Sequence, residues 1–284
     1  MRFGAQIKSV ITNQRMLQAY LRWAAARALG GRRTHLRLPG GATLGKWVSF
    51  SEYWTFQHIL PACEARFVER CLDGQSGDGG VAVDVGANIG AFTCFIGSLG
   101  HRVHAFEPIP ETFCRLKANV RSNGLLGRTT LNCLAVGAEA GMAVFQVHES
   151  SPATNRIVHA AAVGTVAASS QLVAVTSLDE YCHHQKVDEI SLLKVDVEGM
   201  EPLVLRGATG LLRERRINAI LIEVCPGNLI AAGFTVADLE REFQAARYLP
   251  YALEDDGHPG SRLGPADLQA MSLANIVLLP DESS

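Results

Sequence analysis

Apolar residues return along this chain with two different periods, and the points where one period gives way to the other outline its architecture. Over residues 13–29, Met16, Leu17, Tyr20, Leu21, Ala24, Ala25 and Ala28 recur at helical spacing, and Gly30 stands where a C-terminal cap belongs. The stretch "HLRLPGGATLGKWVSF" reads as two short strands about a Pro-Gly-Gly turn. A helix is expected from about Pro61 to Leu72, running into the turn-rich "DGQSGDGG". That Gly-rich stretch divides an N-terminal extension, residues 1–78, from a main domain, residues 79–284.

After the divide the rhythm becomes strand, Gly-rich turn, helix, repeated. "VAVDV" (81–85) is an apolar strand, "GANIG" its turn, and "AFTCFIGSLG" a helix closed by Gly100. "RVHAFE" (102–107) is a second strand. "PETFCRLKANVRSNG" is a helix with Pro110 in its first turn and Gly124 past its end. "TTLNCLAV" (129–136) is a third strand. Residues 137–176 break the pattern, with "MAVFQVH" and "QLVAVTS" as extra β structure around an Ala/Gly/Ser-rich loop. Ser177 and Glu180 then have the spacing of a capping box for a short helix. A strand over 190–197, a helix from Glu201, strand "NAILIEV" (218–224), a helix from Thr235 to Ala246 and strand "ANIVLL" complete the series. Strands alternating with helices of this length predict an α/β fold with a doubly wound, mostly parallel sheet.

Composition narrows this picture only where it is uneven. A 284-residue chain that is 48% hydrophobic and 19% charged can bury a sizeable core, and it has no apolar run of membrane-spanning length. No secretory signal pattern opens it, so the reading is a cytoplasmic protein. Seven cysteines at scattered positions form no C-x-x-C pair, which suits free thiols in a reducing compartment better than disulfides or zinc. No metal is expected. The net charge of −2 conceals a polarity: up to Ser51 there are nine Lys or Arg and no acid, leaving 17 basic against 28 acidic residues beyond. Such an arm can meet an anionic surface, or it can pack its apolar stripe on the acidic domain; the stripe favours packing. Nucleic acid is disfavoured as a partner, because the arm lacks interleaved aromatic residues.

The chemistry begins at "VDVGANIG". Asp84 ends a strand, and Gly86 and Gly90 bracket a turn into a helix whose first N–H groups can face an anion. Glu107 ends the next strand, 21 residues after Gly86, where an acid can accept from both hydroxyls of a ribose. The dinucleotide fingerprint G-x-G-x-x-G is broken by Asn88 in the second glycine's place, which argues against a pyrophosphate and so against an NAD-dependent oxidoreductase. A cofactor with a ribose and an amino-acid carboxylate fits better, and S-adenosylmethionine is one. A non-enzymatic binding module on the same fold would leave the polar rim described next without a task.

Together "VDVGANIGAFT", "HAFEPIPETFCRLKANV" and "LLKVDVEGMEPLVLRGA" resemble the FkbM family of S-adenosylmethionine-dependent methyltransferases, over roughly residues 80–225. The resemblance implies a Rossmann-like methyltransferase fold and methylation of a hydroxyl on a sugar, glycolipid or natural product, with peptide side-chain nitrogen as the alternative. It also implies that Asp84, Gly86, Ala87, Asn88 and Gly90 line the methionine and ribose end of the cofactor. Glu107 would hold the ribose, the backbone near Ala135 would lie by the adenine, and Thr93 would reach the methionine carboxylate or else be a core threonine.

The run "ISLLKVDVEGMEPL" (190–203) sets Lys194, Asp196 and Glu198 at alternate positions of an otherwise apolar strand, on one face. Unpaired buried charge is costly, so the three need partners or a task. In an open α/β sheet, ligands bind beyond the carboxyl ends of the strands. Asp196 and Glu198 are therefore candidates for orienting the acceptor or taking its proton, with Glu223 reaching the same rim from the next strand. Lys194 can pair with one of these acids, and Glu198 or Glu201 can cap the following helix.

Overall fold

The structure, a computed structural model, describes residues 24, 35–45, 60–73, 80–146, 156–158 and 170–282. The helix predicted over 13–29 (apart from Ala24) and most of the basic arm lie outside the described residues.

From the N-terminal side come β1 (Leu36–Arg37) and β2 (Thr43–Leu44), an antiparallel pair joined through the Pro39–Gly41 turn, and then α1 (Ala62–Leu72). The first half of the main sheet follows as β3 (Val81–Val85), α2 (Ala91–Ser98), β4 (Arg102–Phe106), α3 (Pro110–Ser122) and β5 (Thr129–Asn132). A second sheet intervenes, built from β6 (Ala135–Val136), β7 (Gly141–Gln146), β8 (Arg156–Val158) and β9 (Ser170–Thr176). The chain then returns through α4 (Leu178–Gln185), β10 (Leu192–Val195), α5 (Glu201–Arg206), α6 (Thr209–Arg213), β11 (Ile220–Val224), α7 (Pro226–Ala232) and α8 (Val236–Ala245). It closes with β12 (Tyr248–Leu253), β13 (Pro259–Arg262), α9 (Pro265–Ala270) and β14 (Ala274–Pro280).

The main sheet has the order β13-β12-β14-β11-β10-β3-β4-β5. Strands β11, β10, β3, β4 and β5 run parallel, while β14 is antiparallel to both of its neighbours. Strand order reverses between β3 and β10, and a ligand crevice belongs beyond their carboxyl ends.

Because side chains alternate, each central strand feeds two cores. Val81, Val83, Val85, Leu193, Val195, Ile220, Ile222, Val224 and Ile276 face one core together with α4, α5 and α8. Ala82, Leu192, Leu221 and Val277 face the other, which is filled by Phe67 and Val68 of α1, Phe92, Phe95 and Ile96 of α2, and Leu116 of α3. The terminal hairpin belongs to this second core through Leu38 and Leu44. Its backbone is anchored by amide side chains of α3: Thr43 N donates to Asn123 Oδ1 at 2.8 Å, and Gly45 N to Asn119 Oδ1 at 3.1 Å. Asn119 also donates to Ile89 O at 2.8 Å, so one side chain ties the hairpin to the Gly-rich turn.

Three sequence expectations need correction. The strand read over 129–136 is two strands in different sheets, β5 and β6, because Glu107 N donates to Asn132 O and pairing with β4 ends there. The strand read over 190–197 stops at Val195, since the backbone turns through left-handed conformations at Glu198 and Gly199. The helix from Glu201 breaks at Gly207, where a Cβ would strike the Gly137 carbonyl, and resumes as α6. The β12–β13 hairpin and α7 were not anticipated. Ser177 does cap α4, its side chain accepting from Glu180 N at 3.2 Å, and Thr235 with Asp238 forms a complete capping box on α8.

Candidate active site

At the carboxyl ends of the strands, the positions facing the α1/α2 side turn from apolar to polar. Asp84 on β3, Lys194 on β10, Glu223 on β11 and Asn275 on β14 lie one after another across the sheet, with register pairs Lys194–Asp84 and Glu223–Asn275. Lys194 Nζ lies 3.1 Å from Asp196 Oδ2 and 3.8 Å from Asp84 Oδ1, and 5.0 Å from the centre of the Phe92 ring. Burial alone would lower the Lys194 pKa, but Asp196 and then Asp84 outweigh it and push it up to about 12. One cation thus serves two acids, and the three charged groups do not share a single strand face as a repeating set. Only Lys194 lies within β10, Asp196 follows it, and Glu198 sits in the turn beyond.

Asp84 is fully buried, and its Oδ2 accepts from the Thr93 hydroxyl at 2.5 Å. Burial pushes its carboxyl up, against the pull of Lys194 and the Thr93 bond. Thr93 is itself fully buried and gives its proton inward, toward Asp84. The Gly-rich turn likewise works inward. Gly86 N and Ala87 N donate to Phe106 O, and Asn88 N donates to Glu107 Oε2 at 3.1 Å. Gly86 has φ 82°, and a Cβ there would collide with the Asp196 carbonyl, so the close approach it permits is of β3 to the end of β10. Asn88 adopts φ 51° and Gly90 φ 95°, the left-handed geometry these residue types tolerate best. Among the described residues no side chain caps α2, so its N-terminus keeps its polarity toward the crevice.

Glu107 accepts from Asn88 N through Oε2 and from Ile109 N through Oε1 at 2.9 Å. Burial pushes its carboxyl up to about 7, although both backbone bonds work against that. Each oxygen keeps one lone-pair direction, which suits a pair of ribose hydroxyls. Ala135 packs with Ile109, Phe145 and Val173 in a small apolar cluster next to this acid.

Four glutamates surround Asp196. Glu201 Oε1 accepts from Val197 N and Gly199 N, each at 3.1 Å, so this acid staples its own turn. Glu198, at φ 56°, accepts from Asn228 Nδ2 at 2.6 Å. Burial, then Asp196 and Glu201, push Glu198 up to about 7; burial, then Asp196 and Glu198, push Glu223 up to about 9. Glu64 of α1 is the member that sequence reasoning missed. It is 5% exposed, accepts from Asn275 Nδ2 at 2.7 Å through Oε1, and among the described residues has no hydrogen bond to Oε2. Its one sequence signal was an acid on the buried face of an amphipathic helix.

A parallel sheet reversing order between β3 and β10, a Gly-rich first turn, an acid ending the second strand and carboxyls at the rim define a Rossmann-like class I methyltransferase. The chain belongs to the FkbM methyltransferase family: the Methyltransferase FkbM domain matches residues 84–250. The methyl donor is S-adenosylmethionine. Among curated relatives, the hexuronic acid methyltransferase AglP of Haloferax volcanii is 32% identical over 180 residues, covering 63% of this chain and 69% of the relative. The 31-O-demethyl-FK506 methyltransferase FkbM of Streptomyces tacrolimicus is 29% identical over 204 residues, covering 61% and 74%. Among solved structures, an S-adenosylmethionine-dependent methyltransferase of Agrobacterium tumefaciens superposes with TM-score 0.47 at 9% identity, covering 87% of this chain and 70% of that one. An O-methyltransferase of Bacillus cereus superposes with TM-score 0.43 at 11% identity, covering 78% and 83%.

Proposed function

We propose that this methyltransferase alkylates a hydroxyl oxygen of a sugar, glycolipid or other oxygen-rich natural product, and that Asp196 receives or orients the hydroxyl proton. One observation carries the reading. Asp196 is held through Oδ2 by Lys194 at the crevice, with a side chain 31% exposed, so its Oδ1 is left to an incoming hydroxyl. The two relatives' names, a hexuronic acid methyltransferase and a 31-O-demethyl-FK506 methyltransferase, support oxygen as the accepting atom.

S-adenosylmethionine supplies an electrophilic methyl group on a sulfonium sulfur. Glu107 would hold the ribose hydroxyls, the first turn of α2 would face the methionine carboxylate, and the backbone near Ala135 would border the adenine. In-line displacement needs the acceptor held in place and its proton taken. Asp196 would take the hydroxyl proton, leaving the acceptor oxygen free to displace the sulfonium sulfur from the methyl carbon. Lys194, shared with Asp84, fixes that carboxylate in place. Glu198, steadied by Asn228, and Glu223 line the acceptor side. Glu223, pushed up to about 9, is protonated at neutral pH and can donate to the acceptor's other oxygens.

The test is Asp196→Asn, with S-adenosylmethionine binding by calorimetry and single-turnover formation of S-adenosylhomocysteine measured on the same protein. Turnover should fall on the order of 10²–10⁴-fold, the range for a lost general base. Cofactor affinity should change far less. A folded variant that turns over like wild type would show the acid to be structural. A parallel loss of affinity would instead assign it to balancing the sulfonium charge.

A further inference from the structure

A cavity of about 560 Å³ opens at the opposite pole of the sheet, lined at or just before the amino ends of β3, β4 and β5 and by the end of α4 and the loop after it. His104, the lining residue that reaches deepest into β4, faces Tyr181 of α4, whereas Asp84 faces Thr93 of α2 on the other side of the sheet, so the cavity is distinct from the methyl-transfer crevice.

Two of its lining side chains are polar and more than nine-tenths buried, His104 at 9% exposure and Ser191 at 3%. The hydrogen bonds behind His104 decide what it presents. Asn132 Nδ2 donates to Ala105 O at 3.1 Å, which fixes the amide's orientation, and also donates to Tyr181 Oη at 3.0 Å. The Tyr181 hydroxyl therefore gives its own proton to His104 Nδ1, 2.8 Å away. A neutral ring with Nδ1 accepting carries its hydrogen on Nε2. Burial, then Arg102, lower the pKa of His104 and keep the ring neutral. Nε2–H and the Ser191 hydroxyl make no hydrogen bond within the described residues, and both belong to the cavity wall.

The surrounding charge has the sign that these donors ask for. Arg102, Arg128 and Lys186 line the cavity, Arg128 while also donating through Nη1 to the Gly100 carbonyl. Two acids also border it, but both are engaged away from it. Glu189 accepts from Asn218 at 2.6 Å, and the Asp188 side chain is 98% exposed, 4.0 Å from Arg216.

We propose that this cavity is a binding site for a small oxyanion, a phosphate group, held by His104 Nε2–H and Ser191 with Arg102, Arg128 and Lys186 as counter-charges. Inorganic phosphate and a phosphate monoester share this chemistry, and the volume leaves room for an organic remainder.

The experiment is calorimetric titration of the full chain with inorganic phosphate and, separately, with glycerol 3-phosphate, both at constant ionic strength with chloride as control. Wild type should bind in the millimolar range or tighter. The doubly substituted Arg102→Gln/Lys186→Gln protein, altered only at exposed positions, should bind about tenfold more weakly or worse, the scale of a lost charge-assisted bond. Ser191→Ala should weaken binding independently. All variants should bind S-adenosylmethionine like wild type, which checks their folding. Tighter binding of the ester would assign the cavity to a phosphorylated small molecule; equal or weaker binding would assign it to the free ion. No heat beyond the chloride control, or undiminished phosphate affinity in the double variant, would overturn the proposal.

Discussion

Glu223 illustrates how much of this site is decided by neighbours that a single residue cannot announce. In the sequence it is one acid at the end of "NAILIEV". In the fold burial raises its pKa most, and repulsion from Asp196, Glu198 and Glu201 adds to that against the pull of Lys194. Its folded pKa of about 9 lies above the unfolded value of 4.5, so the native state holds its proton more tightly. The stability this contributes is fully present below the unfolded pKa and is lost as pH rises through the folded one. Glu223→Gln escapes that loss. Its melting temperature relative to wild type should therefore climb between about pH 4.5 and about 9. A difference that stays flat across that window would mean that Glu223 is an ordinary carboxylate. Residue types at Asp84, Lys194, Asp196 and Glu107 were legible because each stands near or just past the carboxyl end of an apolar strand. Glu64 and Asn275 were not, since their meeting joins positions 211 residues apart.

Elements were read well wherever local pattern and tertiary demand agree. Strand β3 is apolar on both faces up to Asp84 because it is covered on both, and that is how "VAVDV" reads. The reading failed where a backbone contact ends an element. Hydrophobicity continues past Asn132 and Val195, but pairing does not, and "CLAV" serves a second sheet. The turn between β3 and α2 reads in sequence as the approach to a helix whose first N–H groups can face an anion. In the fold the N–H groups of Gly86, Ala87 and Asn88 serve Phe106 and Glu107, and Gly86 also lets β3 close on β10. Gly86→Ala tests the packing role. The methyl would meet the Asp196 carbonyl in a left-handed backbone, costing about 1–3 kcal/mol. Asp196 would be displaced with its own backbone. Thermal unfolding should drop, and methyl transfer should suffer more than S-adenosylmethionine binding. Unchanged stability would show that the two strand ends can part without cost.

At the scale of the molecule, fold class and cofactor pole were readable because they rest on serial order: strand, turn, helix, strand, acid. The far pole was not, because its cavity gathers residues from β3, β4, β5, the end of α4 and the loop leading from it to β10 that no short motif connects. The turn at Glu198 bears on the stability of the whole chain. A non-glycine residue in left-handed backbone costs roughly 1–2 kcal/mol, set against a native stability of only about 5–15 kcal/mol. Beside it, Asp196 and Glu201 repel the same side chain. Glu198→Gly would relieve the backbone and remove the repulsion at once, for the loss of one hydrogen bond from Asn228. The variant should melt higher than wild type while its methyl transfer falls; lower melting would refute this. A sturdier molecule lies one substitution away, and a chain that keeps the glutamate has traded endurance for work at its rim.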